Sequence, residues 1–207
     1  MKKYLYFVII LFFSSSCLYA QGYSEARVKQ EINNAAARLT SLQCDFVQTK
    51  YLKMLNDKMV SKGKMYYMQS NKLRWEYLSP YTYTFILNDN KVLLKNNNRK
   101  DVIDVQQNKL FKEIARIMMN SVVGKCLSDE KDFKSKISSS GNEWMALLTP
   151  VRKDLKQMFK EINLYFSKDN YMVSKVILIE KNGDKTVIEL KNIRTNGTIN
   201  AALFKIN

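Results

Sequence analysis

Hydrophobic and polar residues alternate along most of this chain in short runs, each closed by turn-forming residues. Leu73, Trp75 and Tyr77 alternate with Lys72, Arg74 and Glu76, and Tyr81, Tyr83, Phe85 and Leu87 alternate with Thr82 and Thr84. Side chains on a strand point to opposite faces with a period of two, so each run sets a large apolar stripe on one face. The pattern predicts strands over Cys44–Leu55, Lys58–Met68, Lys72–Leu78, Tyr81–Leu87, Lys91–Lys95 and Asp101–Val105. Phe46, Gln48 and Lys50 share one parity in the first of these. Asn56-Asp57, Asn71, Ser79-Pro80, Asn88-Asp89-Asn90 and Asn96-Asn97-Asn98 supply the turns. A second series runs over Phe133–Ser138, Glu143–Leu148, a strand carrying Ile162, Leu164 and Phe166, then Tyr171–Glu180 and Lys185–Ile193. Asn182-Gly183-Asp184 joins the last two, because Asn-Gly supplies the positive φ angles of a tight hairpin turn. Val151 to Gln157 reads as a connection with one helical turn, and residues 200–207 as a tail ending in Phe204 and Ile206.

Two segments change period. Ser24 is a good N-cap with Glu25 in the first turn, and Val28, Ile32, Ala35, Ala36, Leu39 and Leu42 recur at helical spacing. This predicts an amphipathic helix from Ser24 to Thr40. Leu110, Phe111, Ile114, Ala115, Ile117 and Met118 have the same spacing, so a second helix is expected over Asn108–Asn120, between strands. A wide twisted sheet tends to curl, and apolar helix faces need a partner. The expected fold is mainly β with α: a single-domain, unclosed antiparallel β-barrel or half-barrel of about ten strands, with α-helices covering its concave apolar face.

Residues 1–20 stand apart from that domain, which is expected to occupy 21–207. Lys2 and Lys3 precede the apolar run Tyr4–Phe13, and Leu18-Tyr19-Ala20 offers a small residue before Gln21, the pattern of a cleavable secretory signal. The run is shorter than the roughly 20 apolar residues that span a bilayer. Cys17 opens an alternative, lipidation and anchoring in the outer membrane. Export would permit a disulfide between Cys44 and Cys126; two buried free thiols are the other reading.

The net charge of +15, or +13 without Lys2 and Lys3, could draw the surface to anionic lipid or an acidic partner; for an exported chain nucleic acid is not expected. The lysines are spread out, which also fits an ordinary solvated face. There is no histidine, so Ser-His and Cys-His nucleophile arrangements are excluded, and the commonest metal ligand is missing. No paired acidic motif, Gly-rich phosphate loop or Cys-x-x-Cys occurs. No catalytic residue, metal or cofactor is expected.

Phe46-Val-Gln48 after the first helix, Gly63, Leu73-Arg-Trp-Glu-Tyr77 followed by Pro80, Leu148-Thr-Pro150, Gly183-Asp-x-Thr186, and Asn192 and Asn196 leading to Phe204 form an ordered series. The series resembles the periplasmic outer-membrane lipoprotein carrier family (LolA-like) over residues 24 to 206. The resemblance implies a hydrophobic cavity for the acyl chains of lipoproteins, or a related envelope lipid. It implies a soluble, non-enzymatic, monomeric carrier in the periplasm, loaded by an inner-membrane releasing transporter and unloaded at an outer-membrane acceptor. The alternative is a Cys17-anchored protein of the same fold, acting as receptor or as carrier of another envelope lipid.

For such a cavity the expected sheet lining is Met65, Tyr67, Leu73, Trp75, Tyr77, Tyr83 and Phe85, and the expected lid residues are Ile32, Leu39, Leu110, Ile114 and Met118. The same residues would equally serve an ordinary closed core. The sequence departs from the family at one place: the arginine and proline that precede the tryptophan and help hold the lid are missing at Gln69-Ser70. Arg74 is the nearest candidate latch, although its parity is opposite to that of Trp75.

Overall fold

The computed structural model of the chain describes residues 24–107, 119–120, 127 and 130–206. The expected signal segment with Cys17, the expected lid residues Leu110, Ile114 and Met118, and Cys126 lie outside the described residues.

Eleven strands among the described residues form one antiparallel sheet. They are β1 (Ser41–Leu52), β2 (Asp57–Met68), β3 (Lys72–Ser79), β4 (Tyr83–Asn88), β5 (Lys91–Asn96), β6 (Lys100–Asp104), β7 (Phe133–Ser140), β8 (Glu143–Pro150), β9 (Phe159–Ser167), β10 (Val173–Glu180) and β11 (Lys185–Thr195). The order across the sheet is β6-β5-β4-β3-β2-β1-β11-β10-β9-β8-β7. Two meanders are thus joined where the first strand pairs with the last, and the outer strands β6 and β7 do not pair, so the barrel stays open. Helix α1 (Glu25–Ala37) precedes the sheet, and α2 (Lys153–Met158) links β8 to β9.

Local differences from the expected boundaries have local causes. Helix α1 ends three residues early because Thr40 donates its N–H to the Asn196 side chain at 2.8 Å and Ser41 already pairs in β1. Strand β1 stops at Leu52, where a short 3-10 turn over Lys53–Leu55 begins and Asn56 closes it at φ 47°. Pro80 lacks an N–H, and β4 starts only at Tyr83. Tyr171 sits at φ 58° in the turn before β10. The hairpin between β10 and β11 forms, but its turn is wider than the tight Asn-Gly turn expected. Gly183 has positive φ (92°) whereas Asn182 does not, the Gly183 N–H donates to the Glu180 carbonyl at 3.1 Å, and the Glu180 N–H donates to the Asp184 carbonyl at 2.9 Å.

Cross-strand partners show where the core lies. On one face run the rungs Leu42–Tyr67–Leu73–Leu87–Val92 and Cys44–Met65–Trp75–Phe85–Leu94. Phe46 continues that face across the seam to Leu190, and Ile188, Val176, Leu164, Ala146 and Ile137 carry it to the far edge. Most of these side chains are buried, in two clusters that share Leu190. The opposite face carries the rung Tyr66–Arg74–Ile86–Leu93 and is covered by the C-terminal tail through Ile199, Leu203, Phe204 and Ile206.

Candidate functional site: the covered apolar face

The first half of the site follows from the alternation in β2, β3 and β4. Met65, Tyr67, Leu73, Trp75 and Phe85 are buried in one cluster, and Tyr77 packs against it half-buried. Tyr83 stands at its rim, partly exposed, with its ring 6.3 Å from that of Tyr77. Phe46 completes the group: its ring centroid lies 4.4 Å from Trp75 and, edge-on, 5.2 Å from Tyr77. The Phe46 ring lies directly over Gly63, and a Cβ there would come within 1.9 Å of the Glu76 carbonyl oxygen and 2.5 Å of the ring. Absence of a side chain at Gly63 is what lets β1 and β3 aromatics meet across β2.

The site is electrically quiet. Burial pushes the Tyr67, Tyr77 and Tyr83 hydroxyls above their ordinary range, so all three are neutral at physiological pH. The Tyr77 hydroxyl donates to Gln48 Oε1 at 3.0 Å. The Trp75 indole N–H is buried without an acceptor at hydrogen-bonding geometry, although the Tyr77 hydroxyl is close enough to feel it. Cys44 is a buried free thiol, pushed up to about 12 by burial and then by the Asp45 charge, which makes it a small apolar filler and a poor nucleophile. Such a surface offers apolar contact and a few neutral hydrogen-bonding groups.

Helix α1 lies over the other half. Val28 and Ile32 pack with Leu127, Ile137, Leu148, Leu164 and Phe166, whereas Ala36 and Leu39 reach the β1–β5 cluster. The two expected α1 residues, Ile32 and Leu39, therefore serve different halves of one face. Met119, beside the expected Met118, packs against the β1–β5 cluster. A cavity of about 310 Å³ opens here, lined by Ala36, Ala37, Tyr67, Gln69, Ser70, Asn71, Met119 and Asn120. Around it the face is filled by its own side chains: Met65, Leu73 and Val92 have no exposure at all.

Polar contacts hold α1 at both ends. At its start Glu25 accepts the Ile137 N–H of edge strand β7 at 3.1 Å, and Lys29, 3.3 Å from Glu25, reaches the Ser135 carbonyl at 3.4 Å. At its end the Gln69 side-chain amide donates to the Leu39 carbonyl at 3.0 Å. Gln69 thus touches the chain two residues past the helix, at the very place where the arginine was missing. Arg74 does something else. It pairs with Glu76 at 2.8 Å and donates to the Leu203 carbonyl at 3.2 Å, on the face away from α1, where it holds the C-terminal tail. Its parity marked that side in advance. Sequence reasoning missed the β7–β9 half of the lining, although the alternation of Ile162, Leu164 and Phe166 was a usable signal.

The fold resembles that of an uncharacterized conserved protein from Thermus thermophilus, at 11% identity and TM-score 0.56, with 88% of this chain and 94% of that one aligned. It also resembles a chain in the complex structure of Pseudomonas aeruginosa MucA/MucB, at 12% identity and TM-score 0.55, with 88% of this chain and 61% of that chain covered. The present chain thus spans about three fifths of that relative (61%). At such identities the likeness is one of fold alone. No protein of curated function matches the sequence. The family of the outer membrane lipoprotein carrier protein LolA matches over residues 37–207, and the chain belongs to it.

Proposed function

We propose that the protein is a non-enzymatic carrier that takes up the acyl chains of lipoproteins, or of a related envelope lipid, against the face beneath α1. In this reading residues 1–20 are a signal for export, the domain of residues 21–207 works as a monomer in the periplasm, and it moves cargo from an inner-membrane releasing transporter to an outer-membrane acceptor. The observation that carries the reading is the continuous apolar face across the open sheet, covered by a helix that Val28, Ile32, Ala36 and Leu39 and a few polar contacts hold in place. Met65, Tyr67, Leu73, Trp75, Tyr77, Tyr83 and Phe85 would receive the chain, together with the β7–β9 residues.

Because the face is filled by its own side chains, cargo must displace part of the cover. The energies allow it. Full burial of a chain of roughly 16 carbons contributes about 12 kcal/mol at about 0.8 kcal/mol per CH₂. Burial of Val28, Ile32 and Leu39 contributes about 1.5–3 kcal/mol each. Uptake is therefore downhill by a margin small enough for an acceptor to reverse. A covalent crosslink between Lys29→Cys and Ser135→Cys should abolish uptake of a fluorescent fatty-acyl probe. Unchanged uptake by the crosslinked protein would refute the displacement mechanism. Native mass spectrometry of protein drawn from its own envelope should show a co-purifying acylated polypeptide; a free glycolipid would redirect the cargo assignment.

A further inference from the structure

The large apolar side chains that remain exposed among the described residues gather, all but Val102, toward one end of the sheet. Strand β1 runs to this end, β2 leaves it, β3 returns to it, and β11 begins there opposite Tyr51. The two most exposed of them lie side by side in the β1–β2 turn, where Met54 is 91% exposed and Leu55 71%. Met59, Val60, Leu78 and Tyr81 stand exposed behind it. Exposed methionine and leucine side chains at a tip are unusual on a surface facing water alone.

Charge around the β1–β2 turn has one dominant sign. Lys53, Lys58, Lys62, Lys181 and Lys185 are exposed around the tip, with Asp57 as the exposed acid among them. The other nearby carboxylates are engaged: Asp184 is buried and accepts the Lys53 N–H at 3.0 Å, and Glu180 lies 3.1 Å from the Lys50 amine. A hollow of about 580 Å³ separates the β1–β2 and β10–β11 turns, and Lys53, Lys58 and Lys185 line it. The Asp184 contacts tie the two turns together, so the tip is presented in a fixed shape.

We propose that the β1–β2 tip is a bilayer-contact surface: Met54 and Leu55 enter the interfacial layer of an anionic membrane, and Lys53, Lys58 and Lys185 lie among its lipid phosphates. An apolar point ringed by lysines matches a layer that is greasy inside and negative at its surface. An acidic protein would satisfy the lysines but would leave a protruding Met54 without an apolar host. The inference stands independently of what the covered face carries.

The test places an indole at the tip of the full chain by Leu55→Trp, and at the exposed position away from it by Val102→Trp. Each protein is mixed with vesicles of phosphatidylglycerol and phosphatidylcholine whose acyl chains carry bromine. The added emission of Leu55→Trp should shift to the blue and fall by more than half, while that of Val102→Trp stays unchanged. Adding Lys53→Gln, Lys58→Gln and Lys185→Gln to Leu55→Trp should weaken the vesicle-dependent change about hundredfold in lipid concentration. Equal quenching at both positions, no quenching at Leu55→Trp, or equal quenching in vesicles of phosphatidylcholine alone would each overturn the proposal.

Discussion

Replacing Gly63 by alanine tests the packing on which the apolar face rests. The added Cβ would lie 1.9 Å from the Glu76 carbonyl oxygen and 2.5 Å and 2.6 Å from Phe46 Cζ and Cε1. Ordinary carbon–oxygen contacts fall at about 3.3 Å or more, so the carbonyl or the strand must move by more than about 1 Å. The Phe46 ring could swing aside; the carbonyl is fixed by the β2–β3 ladder, in which Lys64 faces Glu76. Overpacking costs about 1–3 kcal/mol, and a backbone obstacle places this case at the upper end, about 3 kcal/mol. For a domain of this size that lowers Tm by about 6–12 °C. Thermal melts by circular dichroism measure it, with Gly197→Ala as control, since nothing lies within 4 Å of the Cβ there. The double variant Gly63→Ala with Phe46→Leu should recover little, because it relieves the ring and leaves the carbonyl. A loss below about 2 °C, or full recovery in the double variant, would show that the close approach is not the constraint.

Other outcomes follow from single contacts. Cys44, at about 12 when folded against 9.0 unperturbed, loses a proton only in the unfolded chain as pH rises above 9. Its contribution to stability is full below that pH and declines by about 1.4 kcal/mol per unit toward 12, so Cys44→Ala should flatten the alkaline slope seen in urea melts. Gln69→Ala should raise hydrogen exchange in α1, and Arg74→Ala should raise it in residues 199–206; the reverse assignment would contradict the faces described. Phe204 has no exposure, and Phe204→Ala should cost about 3–5 kcal/mol in chemical denaturation.

The strands and the first helix were legible because their periods are local. Leu73-x-Trp75-x-Tyr77 names its own face, and the register across β2, β3 and β4 brings the seven expected lining residues to one side. The pairing of β1 with β11 was not legible. It joins Phe46 to Leu190 across most of the chain, and no short-range signal marks such a partner. The role of Gln69 was equally hidden, since an amide reaching the Leu39 carbonyl depends on where α1 stops, and Asn196 sets that stop from the far end of the sequence. Arg74 shows the limit of proximity in sequence: one step from Trp75, it serves the opposite face and the C-terminal tail.

The seam between first and last strands has a consequence for how the molecule comes to be. Until Lys185–Thr195 has been made, β1 offers an unpaired edge that can recruit any passing strand, including that of a sibling chain. Each meander can assemble early from neighbours in sequence, but the shared surface waits for the closing step. Folding dominated by so distant a match is expected on the millisecond-to-second scale. Loss of the final segment should therefore yield two sticky half-products and no merely shortened version of the whole.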